Sequence, residues 1–405
     1  MNKDAHYYAI LAFAVECGFK KESAKTLAYA SQFVDDAKIN QLTFDENNPI
    51  HGIKIDFVDH NKSPKQYSLL NMATCHSYSH LKTFNHAAMI NNTCAFHFVP
   101  GCKGDNFAWK MTCEPKGPIL KEIKNAALEE NDLVKFGIVL HAWADSYSHE
   151  GFSGLLSKPN DIDNLTPHSK VYLSKGIYLS NFILWLQRKF FGGEFDNIFD
   201  RLVPPYGHAQ ALHYPDEPYI DWSSEYDQNN IYYTGQKAPK RNNVDIYKKA
   251  FKSIKDLLKQ FLDKHPVHKD NNSSYRKSPS VDLYDILFTR NSVDEREKLW
   301  LKKLLQMEPF KQSKKKDLKY DKTLWLAEAF ENYATENDVF TEKVPLKPNR
   351  EVRRVVRDAK LKTSFENSNW YKYHLAVRWY KKLFHKLSYE NGLSFDHEPY
   401  YSPLK

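Results

Sequence analysis

The sequence predicts an all-α fold, in which a multi-helix core is joined by an additional helical C-terminal region and minor short strands. Apolar residues recur at helical spacing in most segments of the 405-residue chain. Strand-like alternation is clear only in residues 51–58. A hydrophobic fraction of 41%, with 14% aromatic residues, is typical of a folded globular protein and excludes a largely disordered chain.

The expected helices of the first half begin with an antiparallel hairpin. Residues 4–17 form its first helix, which a glycine ends, and residues 22–36 form its second. Because the connection is short, His6 near the start of one helix should lie beside Asp35 and Asp36 at the end of the other. Further helices are predicted at residues 63–89, 118–128, 132–149 and 170–192.

The charge distribution divides the chain near residue 240. Residues 1–240 have a small excess of acidic residues and hold 12 of the 17 histidines, whereas residues 241–405 are strongly basic. We therefore expect a domain at 1–240 that carries the chemistry, with a basic helical region at 241–405 packed on it or appended to it. The basic region either faces an anionic surface or partner, or is a scaffold solvated by lysines. Its predicted helices are 243–264, 281–307, 322–336 and 366–388.

Export and membrane signals are not expected. There is no run of 18 apolar residues, and the charged N-terminal residues lack the apolar segment of a cleaved signal. Five cysteines, an odd number without a C-x2-C pair, indicate free thiols in a reducing compartment and argue against a zinc site built from cysteine. We therefore expect a cytoplasmic protein, or one exported by a signal-independent secretion system.

One stretch of the predicted 132–149 helix carries potential metal ligands at intervals of four residues. His141, Asp145 and His149 follow an apolar run, and on a helix their side chains share one face. His141 and Asp145 can reach one metal ion, whereas His149 is better placed for a second ion that Asp145 bridges. The alternative is a polar stripe that happens to hold two histidines, but unpaired polar groups in an apolar run are costly to bury.

Other histidines and aspartates, from His6 to Asp216, complete a donor set for two or three zinc ions. His76 forms an i, i+4 pair with His80, which either chelates an ion or lies on a solvated face. His97 is flanked by aromatic residues, which favours a core histidine, and a role as an additional site residue stays open as the alternative. The donors are nitrogen and oxygen atoms only, from His6, Asp35 or Asp36, His76, His141, Asp145, His149 and His208, with Asp216 as a further candidate.

Such a donor set favours phosphodiester hydrolysis. Zinc ions at one site lower the pKa of a coordinated water and offset the charge on phosphate oxygens, and this reaction needs both effects. A serine nucleophile is not expected, because Ser153 in Gly-Phe-Ser-Gly lacks the strand-turn-helix context of that mechanism.

The order of these residues resembles the zinc-dependent phospholipases C and single-strand nucleases. Four phrases are closer still to the bacterial zinc metallophospholipases C, some of which are secreted virulence factors: Asp-Ala-His-Tyr-Tyr, Ser-Gln-Phe-Val-Asp-Asp, His-Ala-Trp-Ala-Asp-Ser-Tyr-Ser-His and Tyr-Gly-His-Ala-Gln. The resemblance covers residues 4–222. It implies an all-α fold with a three-zinc site. It also implies hydrolysis of glycerophospholipids, such as phosphatidylcholine, at a membrane surface to diacylglycerol and a phosphorylated head group.

The resemblance also implies roles for individual residues. Asp36 is expected to be the general base, and Asp145 is both a ligand and a catalytic residue. The best-known members bind zinc through the amino group of a mature N-terminal tryptophan. Met1 stands first here, so either Asp4 substitutes for that amino group or one ion is held more weakly, and Asp216 is the candidate partner of His208. The implied ligands are His6, Asp35, His76, His141, Asp145, His149 and His208.

Two alternatives from other classes stay open, a zinc-dependent single-strand nuclease and a non-catalytic effector module stabilised by zinc. A nuclease is expected to carry basic charge and stacking aromatic residues at its site, whereas the basic charge here lies outside the histidine-rich half. A lipase needs apolar surface beside its site. The aromatic residues of 178–191 can supply it, although packing in the core is the alternative role for most of these rings. The sequence therefore favours the phospholipase C, with no stable nucleic-acid partner.

Overall fold

The computed structural model describes residues 1–45, 57–59, 66–70, 72–75, 86–168, 205–226, 238, 240–271, 281–332, 340–345, 350–356 and 359–395. The fold is mostly helical with minor strands, which confirms the predicted all-α class. Over these ranges, no helix is both long and apolar enough to cross a membrane.

The N-terminal helical hairpin forms the centre of the molecule. A π-helical segment, Asp4–Ala9, continues into α1, Ile10–Cys17, and Gly18 ends this helix with a left-handed φ of 104°. The second helix of the hairpin is α2, Lys21–Asp36. Every residue from Asp4 to Val15 is buried, so the first helix is surrounded by other elements on all sides.

Helix α6, Leu133–Ser148, packs against α2 at short distance. Asp132 begins α6 by accepting hydrogen bonds from two backbone N–H groups of its first turn. At the crossing, Gly137 leaves no room for a side chain, since a Cβ atom there would lie 2.6 Å from the Cβ of Ala30. This close approach brings Asp35, near the end of α2, next to the histidine-bearing face of α6.

The remaining helices complete one hydrophobic core that includes residues on both sides of residue 240. Residues of the C-terminal region therefore pack into the same hydrophobic core as residues of the first half. In chain order these helices are α3, His86–Ala88, with a π-helical continuation at Met89–His97; α4, Phe107–Lys110; α5, Pro118–Glu129; α7, Asn243–Lys264; α8, Val281–Leu287; α9, Val293–Leu304; α10, Leu324–Ala329; and α11, Asn369–Glu390.

Two small sheets accompany the helices. Their strands are β1, Gln41–Asp45; β2, Phe57–Asp59; β3, Gln66–Leu70; β4, Ile162–Pro167; β5, Asp221–Tyr226; β6, Arg241–Asn242; β7, Phe340–Pro345; and β8, Arg350–Val356. The first sheet has the strand order β2-β3-β1-β8-β7, and its β1 and β8 pair in parallel while its other pairs are antiparallel. The second sheet is antiparallel with the order β4-β5-β6.

The structure corrects three predicted helices. The expected 322–336 helix ends at Ala329, because Phe330 pairs with Leu361 in an isolated antiparallel bridge. Residues 66–70, expected to be helical, form β3 because this segment pairs with β1 on one side and β2 on the other. The expected 281–307 helix is divided into α8 and α9, because the Ser292 hydroxyl caps a new helix by accepting from the backbone N–H of Glu295. The aromatic 170–192 segment lies outside the described residues.

Candidate metal centre

Helix α6 presents His141 and Asp145 on one buried face. The Nε2 atom of His141 lies 3.2 Å from Oδ2 of Asp145, and their side chains are 0% and 1% exposed. Helix α6 ends at Ser148, and His149 follows as its C-cap residue. The chain therefore leaves the helix at His149, whose ring joins a second set of donors.

A first set of donors, called here the inner group, consists of His6, Asp35, His97, His141 and Asp145. Oδ1 of Asp145 lies 3.0 Å from Nε2 of His6, and Oδ2 lies 3.2 Å from Nδ1 of His97. Oδ1 of Asp35 lies 3.7 Å from Nδ1 of His97 and 3.7 Å from Nε2 of His141. These residues form two overlapping triads, each with its ligand atoms within 4.8 Å of one another.

A second set, called here the outer group, consists of His149, His208 and Asp216. Nε2 of His149 lies 3.1 Å from Oδ1 of Asp216, and Nε2 of His208 lies 3.4 Å from Oδ2 of the same carboxylate. Their ligand atoms also lie within 4.8 Å of one another. The ring of Phe98 stacks on His149, with 4.4 Å between centroids, and supports the imidazole from one face.

The amino group of Met1 lies between the inner and outer groups. It is 2.6 Å from Oδ1 of Asp145 and 3.0 Å from Oδ1 of Asp216, so a single nitrogen atom separates the two carboxylates. Burial lowers the pKa of this amino group, but the charges of Asp145 and Asp216 outweigh burial and raise the pKa to about 11. The carboxylates of the two groups thus stabilise a positive charge between them.

Hydrogen bonds to backbone carbonyls determine which ring nitrogens face the two groups. Nδ1 of His149 donates to the carbonyl of His97 at 2.7 Å, and Nδ1 of His208 donates to a carbonyl four residues further on, also at 2.7 Å. Their Nε2 atoms then face Asp216. His97 has the opposite orientation, because its Nε2 lies 3.1 Å from the carbonyl of Thr74 and its Nδ1 faces the inner group. Partners of this kind orient histidines that bind metals.

The protonation of these rings fits a bound cation. Burial lowers the pKa of His208 to about 4 and holds that of His141 well below its ordinary value, so both rings are neutral near pH 7. Because Nδ1 of neutral His208 donates its proton to a carbonyl, the Nε2 lone pair faces Asp216, which only accepts hydrogen bonds, and this is unfavourable unless a cation lies between them. Neutral imidazole and ionised carboxylate are donors that zinc takes.

The two inner carboxylates differ in their affinity for a proton. Burial opposes the charge of Asp145, yet the Met1 amino group and His149 outweigh it and hold the pKa of Asp145 well below its usual range. Burial, together with repulsion from Asp145, raises the pKa of Asp35 well above its ordinary value. A divalent cation beside both carboxylates would relieve this repulsion, so the inner group also fits a metal ion.

The described donors form separate clusters, each of which could hold a metal ion. The inner triads, His6–His141–Asp145 and Asp35–His97–His141, share His141, whose Nε2 has a single lone pair. The outer group shares no residue with them. Asp145 directs one oxygen toward His6 and the other toward His97 and His141. Nε2 of His149 faces Asp216, so the expected bridge by Asp145 to an ion held by His149 is not the arrangement that these contacts show.

Two expected site residues belong to neither group. Asp4, expected to substitute for an N-terminal amine, is buried against Arg296, whose Nε donates to its Oδ2 at 2.6 Å. Asp36, expected to be the general base, accepts hydrogen bonds from the Tyr320 hydroxyl at 2.8 Å and from the side chain of Gln32. Consecutive residues on a helix point about 100° apart, which is why Asp35 faces the inner group and Asp36 does not.

Two further histidines considered in the sequence are His97, which lies at the site, and His76, whose position is not described. His97, interpreted from its aromatic neighbours as a core histidine, is buried but directs Nδ1 toward Asp145 and His141 at 3.2 and 3.1 Å. The feature that distinguishes it is the carbonyl of Thr74, which holds its other nitrogen and is not recognisable from the sequence. His76 lies outside the described residues.

Sequence reasoning missed Arg296 of α9, which lies beside both groups. Its guanidinium is fully buried between the carboxylates of Asp4 and Glu217. Burial alone would lower the pKa of Arg296, but the charge of Asp4 raises it above its ordinary value. Burial raises the pKa of Glu217 to about 7. No local pattern indicates this residue, because Asp4 is 292 positions away in the sequence.

Comparison with known proteins gives one result. No curated protein and no solved structure matches the chain. A family model does match, over residues 1–387, and this range includes every residue of the inner and outer groups. The chain therefore belongs to that family, a family of unknown function designated DUF6765.

Proposed function

We propose that this chain is a zinc-dependent phosphodiester hydrolase, specifically a phospholipase C that cleaves glycerophospholipids such as phosphatidylcholine. The observation that carries the proposal is the proximity of the inner and outer groups, whose Asp145 and Asp216 oxygens lie 2.6 and 3.0 Å from the same Met1 nitrogen. Cations held this close together can contact one phosphate group, which is the arrangement of two-metal phosphodiester hydrolysis.

The residues of the chain hold this arrangement in place. When bound, zinc would lower the pKa of a coordinated water and would offset the negative charge on the phosphate oxygens. Backbone carbonyls fix the ring orientations of His97, His149 and His208, and Phe98 supports His149 from the side. The donors are therefore oriented before substrate arrives, so little reorganisation is needed during the reaction.

Asp35 is the residue to which we assign proton transfer, in place of Asp36. Its side chain is 29% exposed, against 14% for Asp216 and 1% for Asp145, so it is the carboxylate of the two groups most accessible to water and substrate.

The choice of a lipid over a nucleic acid rests on the sequence resemblance and on charge. Arg296 is the arginine that the fold brings beside both groups, and it is buried and paired with Asp4 and Glu217. Its charge is therefore not offered to a phosphate backbone, which nucleases bind through exposed basic residues. The partner that we propose is a phospholipid membrane surface.

Hydrolysis of phosphatidylcholine and single-stranded DNA by the same protein tests the proposal. We expect phosphocholine release from vesicles, loss of this activity with a chelator and its return with zinc. His141→Gln should abolish the activity because it removes an inner-group donor. His268→Gln is the matched control, since His268 contacts Ser23 and Asn131 and belongs to neither group.

Two outcomes would contradict the proposed phospholipase C. DNA cleavage without phosphocholine release would favour the single-strand nuclease. Zinc binding with neither activity, over a panel of phospholipid head groups, would favour the non-catalytic module stabilised by zinc.

A further inference from the structure

We propose that Arg296 is a positioning residue, which holds the inner and outer groups at a fixed separation. The inference rests on the proposed function only in treating the two groups as zinc sites. Arg296 is 0% exposed, and its guanidinium hydrogen-bonds to Asp4, Glu217 and the carbonyl of Asn291, none of which belongs to either group. It instead binds one residue close to each group, and these contacts connect the segments that carry the donors.

On the inner side, Arg296 binds Asp4 through two contacts. Its Nε lies 2.6 Å from Oδ2, and its Nη2 lies 3.3 Å from Oδ1. A two-point contact of this kind fixes orientation as well as distance. Asp4 belongs to the same π-helical segment as His6, two residues further along the chain. Fixing Asp4 therefore fixes the turn that presents the His6 ring to Asp145.

On the outer side, Arg296 binds the residue that follows Asp216. Its Nη1 lies 3.1 Å from Oε2 of Glu217. The other Glu217 oxygen accepts a hydrogen bond from the side chain of Asn2 at 3.1 Å, and the same amide nitrogen lies 3.0 Å from the carbonyl of Asp216. The loop that carries Asp216 is thus connected to the segment that carries His6.

The chemistry of these contacts requires an arginine. Asp4 and Glu217 are both buried, so each carboxylate needs a cation close by. The planar guanidinium directs donors along several edges and can bind both carboxylates, whereas a lysine ammonium reaches them as a single point charge. The ring of Tyr219 lies 5.5 Å from the guanidinium carbon and further encloses it. The C-terminal region therefore contributes to the geometry of the site.

Zinc affinities of Arg296→Lys, measured on the full chain by competition with chelators of graded affinity, test this inference. Lysine keeps the charge but cannot bind both carboxylates in the same way. We expect at least one class of zinc to bind about 10- to 100-fold more weakly, as for other changes that disturb the support of a metal ligand. Lys255→Gln is the control, because it breaks an ion pair with Glu16 at the opposite end of the first helix.

A second pair of variants keeps the test decisive if Arg296→Lys does not fold. Glu217→Gln retains an oxygen acceptor for the arginine, whereas Glu217→Ala removes it, so the alanine variant should bind zinc more weakly. A purely structural role predicts a lower thermal midpoint of the zinc-free protein and unchanged zinc affinities. Unchanged affinities in the folded variants would overturn the inference.

The zinc measurements also separate this inference from the proposed function. Wild-type protein that binds zinc but hydrolyses no phospholipid overturns the proposed phospholipase C alone, and the zinc affinities then decide the role of Arg296. Wild-type protein that binds no zinc overturns both.

Discussion

Replacing Asp145 with asparagine should remove most of the proposed activity while keeping the volume of the side chain. The carboxylate lies 3.0 Å from His6 through one oxygen and 3.2 Å from His97 and His141 through the other. Asparagine keeps one oxygen acceptor but loses the charge, and its amide nitrogen cannot bind a metal ion as a carboxylate does.

The size of the expected effect follows from the position of Asp145 between the inner-group nitrogens. Removing a hydrogen-bond partner that orients a metal ligand typically lowers metal affinity or activity by about 10- to 100-fold. Losing a ligand that has both oxygens engaged should lower the activity further. We expect kcat/KM to fall by at least about 10³-fold, which corresponds to about 4 kcal/mol of transition-state stabilisation.

The assay is hydrolysis of a soluble short-chain phosphatidylcholine at saturating zinc, with zinc content measured on the same samples. Asp263→Asn makes the same chemical change on an exposed position of α7 and should keep full activity. Circular dichroism establishes that both variants are folded. An Asp145→Asn protein with a tenth of the wild-type turnover and a full complement of zinc would refute the reasoning.

Three other predictions concern stability and surface charge. Gly137→Ala should lower the free energy of unfolding by about 1–3 kcal/mol, measured by urea titration, because its Cβ would overlap Ala30 and separate α2 from α6. Burial lowers the pKa of His374 to about 3. Its ordinary value in the unfolded chain is about 6.5, so unfolded protein takes up a proton that the folded ring does not, and stability falls as pH drops below about 6.5. Between pH 7 and 5, zinc-free wild-type protein should lose on the order of 1–2 kcal/mol more than His374→Gln in a denaturant titration, and equal losses would contradict this. Four exposed lysines lie within residues 311–316: Lys311, Lys314, Lys315 and Lys316. Replacing all four with glutamine should weaken binding to anionic vesicles and reduce the dependence of that binding on salt. Vesicle binding that responds neither to the substitutions nor to the salt concentration would show that these lysines only solvate a scaffold.

The elements that could be predicted are those with local causes. The periodicity of apolar residues indicated α2, α6, α7 and α11 to within a few residues, because each helix buries one face along its own length. The five-stranded sheet could not be predicted, because Gln41 of β1 pairs with Val355 of β8, near the other end of the chain. Pairing of this kind depends on the finished core and leaves little local pattern.

In the candidate site, too, features with a local cause could be predicted, whereas features that depend on the packing of distant segments could not. The four-residue spacing of His141 and Asp145 is a local property of a helix, and it predicted their proximity. The choice between Asp35 and Asp36 depends on how α2 is rotated against α6, which adjacent carboxylates do not reveal. The role of His97 depends on the carbonyl of Thr74, 23 residues away in the sequence. Arg296 reaches the site through charges on two distant segments.

The number of zinc ions bound per chain tests the central claim most directly. The inner and outer groups share no donor, so protein purified without chelator should contain at least two zinc ions per chain by elemental analysis. Less than one zinc per chain, with no recovery when zinc is added to the folded protein, would contradict the account.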